Sequence, residues 1–355
     1  MLTEIIYRGF RNLADGSWRP GPGGHLLVGS NGAGKTSLLE AVYVLATSKS
    51  FRAARVADCR RHGAGELTLC GRVEGEARAE LDVAWGSEGL RRHLNGKTTA
   101  LADYLEPLPV VAWSAISGRL IDGVPEVRRR FLDQGVVGIR PASLSVLARY
   151  RRALEQKRQL LKTGARGLDA WNEVLAASAA RLIELRRSYL TELEAAFSEL
   201  VTASGLELPA LELRYRPSPA IAADVDGIRA ALDELAGRER EAGQPLAGPH
   251  RDELKLLWGG HEVRRVGSAG ERKAFGLLLT AARGRVLAAH SRPPILLLDD
   301  LDAELDDGRL ERLWSLFSES TQVFASTTRE DLAERLGGLT RWRLAEGSVE
   351  AGKSP

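Results

Sequence analysis

Apolar and polar residues alternate from Leu2 to Arg8, which predicts a strand at a sheet edge, and a loop rich in Gly and Pro follows as far as Gly24. The apolar run Leu26-Leu27-Val28 predicts a buried strand. Ser37 to Leu45 then repeats its apolar residues at helical spacing. Alternation returns at Leu67, Leu69, Gly71 and Val73 and again at Ala79, Leu81, Val83 and Trp85, with a break at Glu74-Gly75-Glu76 that makes a hairpin. Asn95-Gly96, within Arg91 to Thr98, is a tight-turn signal that extends this small antiparallel sheet. Pro107 and Pro109 introduce Val110-Val111-Ala112-Trp113, another buried strand.

From Gly123 the period becomes helical and stays so to about Leu200. Ser143 to Leu161 and Leu168 to Leu200 are separated by Thr163-Gly164-Ala165-Arg166-Gly167 and are long enough to pair as an antiparallel arm. Leu206 to Tyr215 alternates, and Ile228 to Glu241 is amphipathic. A return to mixed sheet is expected at Leu254 to Trp258, with a Gly259-Gly260 turn leading to Val263 to Val266. Ala274 to Ala289 reads as a helix, Ile295 to Leu298 as a strand, and the tail from Glu346 as frayed. The expected division is a discontinuous α/β head, residues 1–110 and 245–355, interrupted by a mostly helical arm or lid, residues 111–244.

Gly29-Ser30-Asn31-Gly32-Ala33-Gly34-Lys35-Thr36 fits G-x-x-x-x-G-K-[ST] at every fixed position, between the Leu26–Val28 strand and the helix opened by Ser37. Gly29, Gly32 and Gly34 are expected to take backbone conformations closed to other residues, so that successive amides point inward at phosphates. The helix start adds free N–H groups and a positive dipole end. Lys35 is placed to reach the β- and γ-phosphates, and the Thr36 hydroxyl to join a Mg²⁺ shell. This chemistry binds a nucleoside triphosphate.

Ile295-Leu296-Leu297-Leu298-Asp299-Asp300 delivers two carboxylates at the end of a buried strand. Asp299 is the expected Mg²⁺ partner, and Asp300 the general base that orients water. Upstream, Gly267-Ser268-Ala269-Gly270-Glu271 opens the 274–289 helix as a second anion site. In an ABC-type arrangement such a turn meets the γ-phosphate bound by a second subunit, so ATP would hold a dimer together. The basic segment Phe51-Arg52-Ala53-Ala54-Arg55 reads either as a nucleotide contact or as a surface loop.

The bulk numbers bound the answer without fixing it. The chain has 355 residues, 44% of them hydrophobic, and two cysteines, Cys59 and Cys70, which suit a reducing cytoplasm and exclude a disulfide framework. No run of about 18 apolar residues occurs, and Met1-Leu2-Thr3-Glu4 begins no signal peptide. A net charge of +3 says little, but Arg119 to Lys162 holds eleven Lys or Arg against four Asp or Glu.

The order Phe10-Arg11-Asn12, the phosphate loop, Arg128-Arg129-Arg130-Phe131-Leu132-Asp133, Gly248-Pro249-His250-Arg251-Asp252, Ser268-Ala269-Gly270 and Leu298-Asp299-Asp300 resembles the RecF family of bacterial recombination mediators, relatives of SMC and Rad50 heads, essentially end to end. The resemblance implies an α/β fold, an ABC-type P-loop ATPase head with a mixed sheet and flanking helices, carrying an inserted helical arm. It implies ATP and Mg²⁺, slow DNA-stimulated hydrolysis, an ATP-dependent homodimer and a cytoplasmic protein with no membrane contact. The partners implied are DNA, single-stranded and at duplex or gap junctions, and RecR, with RecO and RecA in the pathway of repair, replication and the SOS response. It places Ser30, Asn31, Ala33, Ser37, Arg11 and Asn12 with the loop glycines around the nucleotide. Ser268 and Gly270 fall on the opposing γ-phosphate, and Asp306 in a loop crossing the dimer interface.

Three departures stand out. Glu271 follows the signature glycine where the family usually has Gln, and its charge is expected to weaken ATP-driven dimerisation unless Arg272 or Lys273 offsets it. Ser114-Ala115-Ile116 replaces a Pro-acidic pair. No His follows Val323 to Thr328, where transporter ATPases carry a switch histidine, so Ser326 or Thr327 is expected to sense the γ-phosphate. Two other readings of the loop are a transporter-type ABC subunit and a small-molecule P-loop kinase.

Overall fold

The computed structural model describes residues 1–75, 77–114, 117–165, 167–208, 211–218, 223–317 and 322–351. Its strands are β1 (Leu2–Arg8), β2 (Gly16–Trp18), β3 (Gly23–Val28), β4 (Leu67–Val73), β5 (Ala79–Gly86), β6 (Gly89–Leu94), β7 (Lys97–Thr98), β8 (Val110–Trp113), β9 (Leu211–Arg216), β10 (Glu253–Trp258), β11 (His261–Glu262), β12 (Ile295–Leu298), β13 (Gln322–Thr327), β14 (Leu339–Ala345) and β15 (Ser348–Ala351). Its helices are α1 (Lys35–Thr47), α2 (Leu101–Leu105), α3 (Arg119–Asp122), α4 (Pro125–Ile139), α5 (Leu144–Thr163), α6 (Leu168–Ser204), α7 (Val225–Ala242), α8 (Val263–Val266), α9 (Ala269–His290), α10 (Asp307–Phe317) and α11 (Leu332–Leu336).

The chain forms two compact units, one of Met1–Gly118, Ala196–Leu208 and Gly267–Pro355, the other of Arg119–Ala195 and Pro209–Val266. These limits differ from the expected cuts at 110/111 and 244/245. β8 belongs to the first unit because it pairs in parallel with β12. Residues 245–266 belong with the helices because β10 pairs with β9.

The first unit holds two six-stranded sheets, ordered β2-β1-β4-β5-β6-β7 and β15-β14-β3-β13-β12-β8. Both face one core that includes Ile5, Leu69 and Leu81 from the first sheet, Leu27, Leu297 and Phe324 from the second, and Leu38, Leu39, Val42 and Leu45 of α1. Helix α1 is therefore covered on most of its circumference, which fixes the loop at its start. β12 lies between two parallel neighbours with all four residues buried, as its unbroken apolar run requires.

Two expectations for this unit are corrected. β1 is an interior strand, paired with both β2 and β4, because the Gly- and Pro-rich loop folds back to supply a three-residue neighbour that alternation within β1 cannot reveal. The tail is ordered as far as Ala351, because β15 pairs antiparallel with β14; residues 352–355 lie outside the described residues, as do Glu76 of the expected hairpin break and Ala115 and Ile116.

In the second unit α5 and α6 share a core with α7, through Leu147, Tyr150 and Leu154, Leu175, Ala179 and Ile183, and Ile228 and Leu232. A third helix thus joins the expected pair; Arg166, in the break between that pair, lies outside the described residues. The order β11-β10-β9 makes a separate antiparallel sheet. Val263 to Val266, expected to extend the sheet, is a helical turn, since four residues of Val-Arg-Arg-Val fit either period.

Two of the stretches that carry the family resemblance converge inside this unit. Arg186 Nη2 donates to Asp133 Oδ1 at 2.8 Å and Nη1 to Asp252 Oδ2 at 2.9 Å. Asp252 is fully buried and also accepts from the Tyr215 hydroxyl and the Ser218 amide. Arg128–Asp133 and Gly248–Asp252 are thus joined through one buried guanidinium.

Candidate nucleotide site

The phosphate loop leaves β3 and enters α1 through residues 29 to 34. Gly32 (φ 83°) and Gly34 (φ 110°) have the positive φ expected of them. Gly29 does not. Its need is space, since a Cβ there would lie 2.4 Å from the Leu344 carbonyl oxygen of β14. Gly34 is the N-cap of α1, with no side-chain cap and no acid in the first turn, so the helix start keeps its amides for an anion.

Ser30, Asn31 and Gly32 are exposed and Ala33 is buried. The buried Lys35 turns its Nζ onto the loop, donating to Gly29 O at 2.7 Å and Ser30 O at 3.0 Å. Burial lowers its pKa, and Asp300, Asp299 and Asp302 act against that.

One turn of α1 meets the end of β12. Thr36 Oγ1 donates to Asp299 Oδ1 at 2.8 Å, and Ser326 Oγ donates to the same oxygen at 2.8 Å. Burial raises the Asp299 pKa, with the Ser326 and Thr36 hydrogen bonds opposing it. Thr36 and Asp299 offer two hard oxygen donors at the mouth of the loop. That suits Mg²⁺, which keeps several waters and completes its shell with phosphate oxygens. Among the described residues no group of three or more His, Cys, Asp or Glu could hold a metal alone.

Asp300 has φ 49° and an exposed side chain. Its backbone is pinned on both sides: its N–H donates to Ser326 Oγ at 2.9 Å, and its carbonyl accepts from Lys273 Nζ at 2.6 Å. Ser326 therefore grips both acids from β13. Thr327 instead accepts from the Arg329 amide.

Ser268 is the N-cap of α9 and forms a reciprocal box with Glu271. Ser268 N and Oγ donate to Glu271 Oε2 at 2.8 and 2.7 Å, and these bonds hold the Glu271 carboxyl below its usual range. A Cβ on Gly270 would lie 2.9 Å from Glu304 O, so this turn rests on the loop that follows the acids. Asp306 accepts from the Arg309 amide immediately before α10.

Three of the residues that the resemblance places at the nucleotide, Asn12, Ser37 and Arg11, make hydrogen bonds within the protein. Asn12 Nδ2 donates to Gly32 O at 2.7 Å and Asn12 Oδ1 accepts from Ser37 Oγ at 2.7 Å, so that pair clips the loop to the start of α1. Arg11 turns away to the buried Glu40. The Ser50 hydroxyl also donates to Glu40 at 2.5 Å, while Arg52 Nη1 lies 3.7 Å from Glu40 and close enough to Asp299 to lower its pKa. The Arg52 stretch is thus held beside the site. Sequence reasoning missed Glu40; a lone acid inside the apolar Leu38–Leu45 helix was its signal.

Residues 1–349 match the model of the RecF/RecN/SMC N-terminal domain. The chain is 37% identical to the DNA replication and repair protein RecF of Anaeromyxobacter dehalogenans (strain 2CP-C), over 95% of each chain. It is 32% identical to that of Geotalea daltonii, over 98% of this chain and 99% of the other. A solved structure of the recombination mediator protein RecF-ATPrS in the RecFOR pathway superposes with a TM-score of 0.86 at 25% identity, covering 99% of this chain and 98% of that one. An SMC head bound to the C-winged helix domain of ScpA shares the fold alone, with a TM-score of 0.58 at 16% identity, covering 99% and 98%.

Proposed function

Since this chain belongs to the RecF family, we propose that it is an ATP-gated, DNA-binding protein of recombinational repair. The observation that carries the nucleotide half of this reading is the 2.8 Å contact of Thr36 with Asp299, beside Lys35 and the uncapped start of α1. Loop amides and the α1 N-terminus bind the phosphates, and Lys35 exchanges the Gly29 and Ser30 carbonyls for β- and γ-phosphate oxygens. Thr36 and Asp299 would hold Mg²⁺, which would supply positive charge against that developing on the phosphates. Asp300 takes the proton of the attacking water. Ser268 and Gly270 of a second copy meet the γ-phosphate, with Asp306 near the shared face, so ATP closes a homodimer and its slow hydrolysis opens it.

The DNA contact rests on exposed cations and is salt-sensitive and sequence-independent. DNA, single-stranded or at a gap junction, is the substrate on which the protein works with RecR and RecO to load RecA, in the cytoplasm. No described helix is long and apolar enough to cross a membrane, and family membership displaces the transporter and kinase readings. The test is binding of labelled duplex DNA with ATP and then with ADP, for the wild type and Lys35→Met. Cooperative tightening with ATP in the wild type alone is expected; equal binding in both nucleotides would remove the gate from the account.

A further inference from the structure

The turn between β14 and β15 touches the phosphate loop. Glu346 (φ 49°) and Gly347 (φ 79°) are the two loop residues of this hairpin, both in the left-handed region that two-residue hairpins use. Gly347 N–H donates to Ala33 O at 3.0 Å, and Gly347 O accepts from Ala14 N–H at 3.0 Å. A Cβ on Gly347 would lie 2.1 Å from Asn12 O and 2.8 Å from Ala14 N, both backbone atoms. On the other side, a Cβ on Gly34 would come within 3.3 Å of Gly347 Cα. The turn is thus wedged between the phosphate loop and residues 12 to 14, where Asn12 grips Gly32 and Ser37.

We propose that the Glu346-Gly347 turn is a positioning element for nucleotide binding, holding the phosphate loop in its cradle shape before any ligand arrives. The proposal rests on the nucleotide reading of that loop. It follows from where the contacts fall. Ala33 sits between the two left-handed glycines of the loop, and its carbonyl is turned outward onto Gly347. With that carbonyl tied down, the peptide between Ala33 and Gly34 keeps one orientation, so the Gly34 amide stays aimed into the cradle. Preformed binding groups avoid an ordering cost at the moment of binding. A loosened turn raises that cost and weakens affinity, while the groups that do chemistry on a bound nucleotide, Asp299 and Asp300, stay with β12 and β13.

The test compares Gly347→Ala with Gly338→Ala in the full chain. Gly338 also has a positive φ (63°) but open space around it, so alanine there brings backbone strain without touching the loop. Titration with mant-labelled ATP and steady-state hydrolysis give the affinity, KM and kcat. For Gly347→Ala we expect the Kd and KM to rise about tenfold or more with kcat at saturation within about twofold, and for Gly338→Ala no change in either. Equal weakening by both variants, or a drop in kcat with KM unchanged, would overturn the proposal. Should Gly347→Ala fail to fold, amide exchange on the wild type decides the matter: added ADP should protect residues 346–348 together with 29–36, and protection of 29–36 alone would refute the coupling. A wild type that binds no mant-ATP would defeat the nucleotide reading itself, a different result from affinity left intact by Gly347→Ala.

Discussion

Arg11 clasps Glu40 through two parallel hydrogen bonds, Nε to Oε2 at 2.9 Å and Nη2 to Oε1 at 2.8 Å, while its Nη1 donates to the Asp58 carbonyl at 2.8 Å. Glu40 is fully buried, one turn along α1 from Thr36. Its carboxylate ties the loop after β1 to the loop after α1, where Ser50 Oγ in turn accepts from the amides of Arg52 and Ala53.

Removing Arg11 leaves the buried Glu40 with Ser50 and the more distant Arg52, and a buried charge that loses its main partner costs up to about 3 kcal/mol. Arg11→Ala and Glu40→Ala are therefore both expected to lower the urea unfolding midpoint strongly. At temperatures where Arg11→Ala remains folded, its KM for ATP should stay near that of the wild type. An unchanged midpoint with lost ATP affinity would return Arg11 to the nucleotide, where family resemblance alone had placed it.

Ser326 holds the Asp299 carboxylate and the Asp300 amide at once. Ser326→Ala removes both bonds with little change in volume. Outer partners of metal-binding carboxylates are worth about 10- to 100-fold in metal affinity or activity. The expected outcome is a fall of that size in ATP turnover, with the Mg²⁺ requirement moved to higher concentration and mant-ATP affinity nearly unchanged. Turnover at the wild-type rate would show that the acids need no such support.

His250 is pushed down to about 4, chiefly by burial, with Arg158, Arg251 and Arg129 adding repulsion against the opposing hydrogen bond to Pro245. Its Nδ1 shares a 2.7 Å hydrogen bond with the Tyr150 hydroxyl. The unfolded imidazole takes a proton near 6.5, the folded one only near 4. Stability from this group is thus level above about pH 6.5, falls as the pH drops toward 4 and levels off below, a loss of about 3 kcal/mol. His250→Gln should flatten that part of the pH–stability curve, measured by urea unfolding between pH 7 and pH 4. An unchanged slope would place the acid sensitivity elsewhere.

How much of this was legible in the sequence follows from how local each signal is. The phosphate loop and the Leu298-Asp299-Asp300 strand end could be read directly, because backbone freedom and burial leave their marks in consecutive residues. What contacts what over long separations left no such mark. Gly29 is glycine because Leu344, more than 300 residues later, comes close to it. The tail reads as frayed because β15 is only four residues long, and its pairing with β14 is what gives it order. Residues 253–258 read as a strand, yet alternation cannot name a partner, so nothing local in the sequence says that β10 pairs with β9. The role of Asn12 shows only in its contacts, which bind the loop to itself.

Glu271 carries the last prediction, and here stability and association pull in opposite directions. Its carboxylate completes the capping box of α9 and lies at the positive end of a 22-residue helix, so the charge helps the helix it belongs to. The same charge stands where the proposed dimer brings a γ-phosphate, and it engages the Ser268 hydroxyl that would donate to that phosphate. Glu271→Gln keeps an acceptor for the Ser268 amide but removes the charge. It should cost the isolated protein a few tenths of a kcal/mol in urea unfolding and tighten ATP-dependent association about fivefold or more. Analytical ultracentrifugation with ATP and Mg²⁺, paired with the unfolding curves, reads both. Unchanged association would mean that the Glu271 charge does not bear on the phosphate, because Arg272 or Lys273 offsets it or because the α9 turn does not meet it; weaker association would mean that the carboxylate itself supports the dimer.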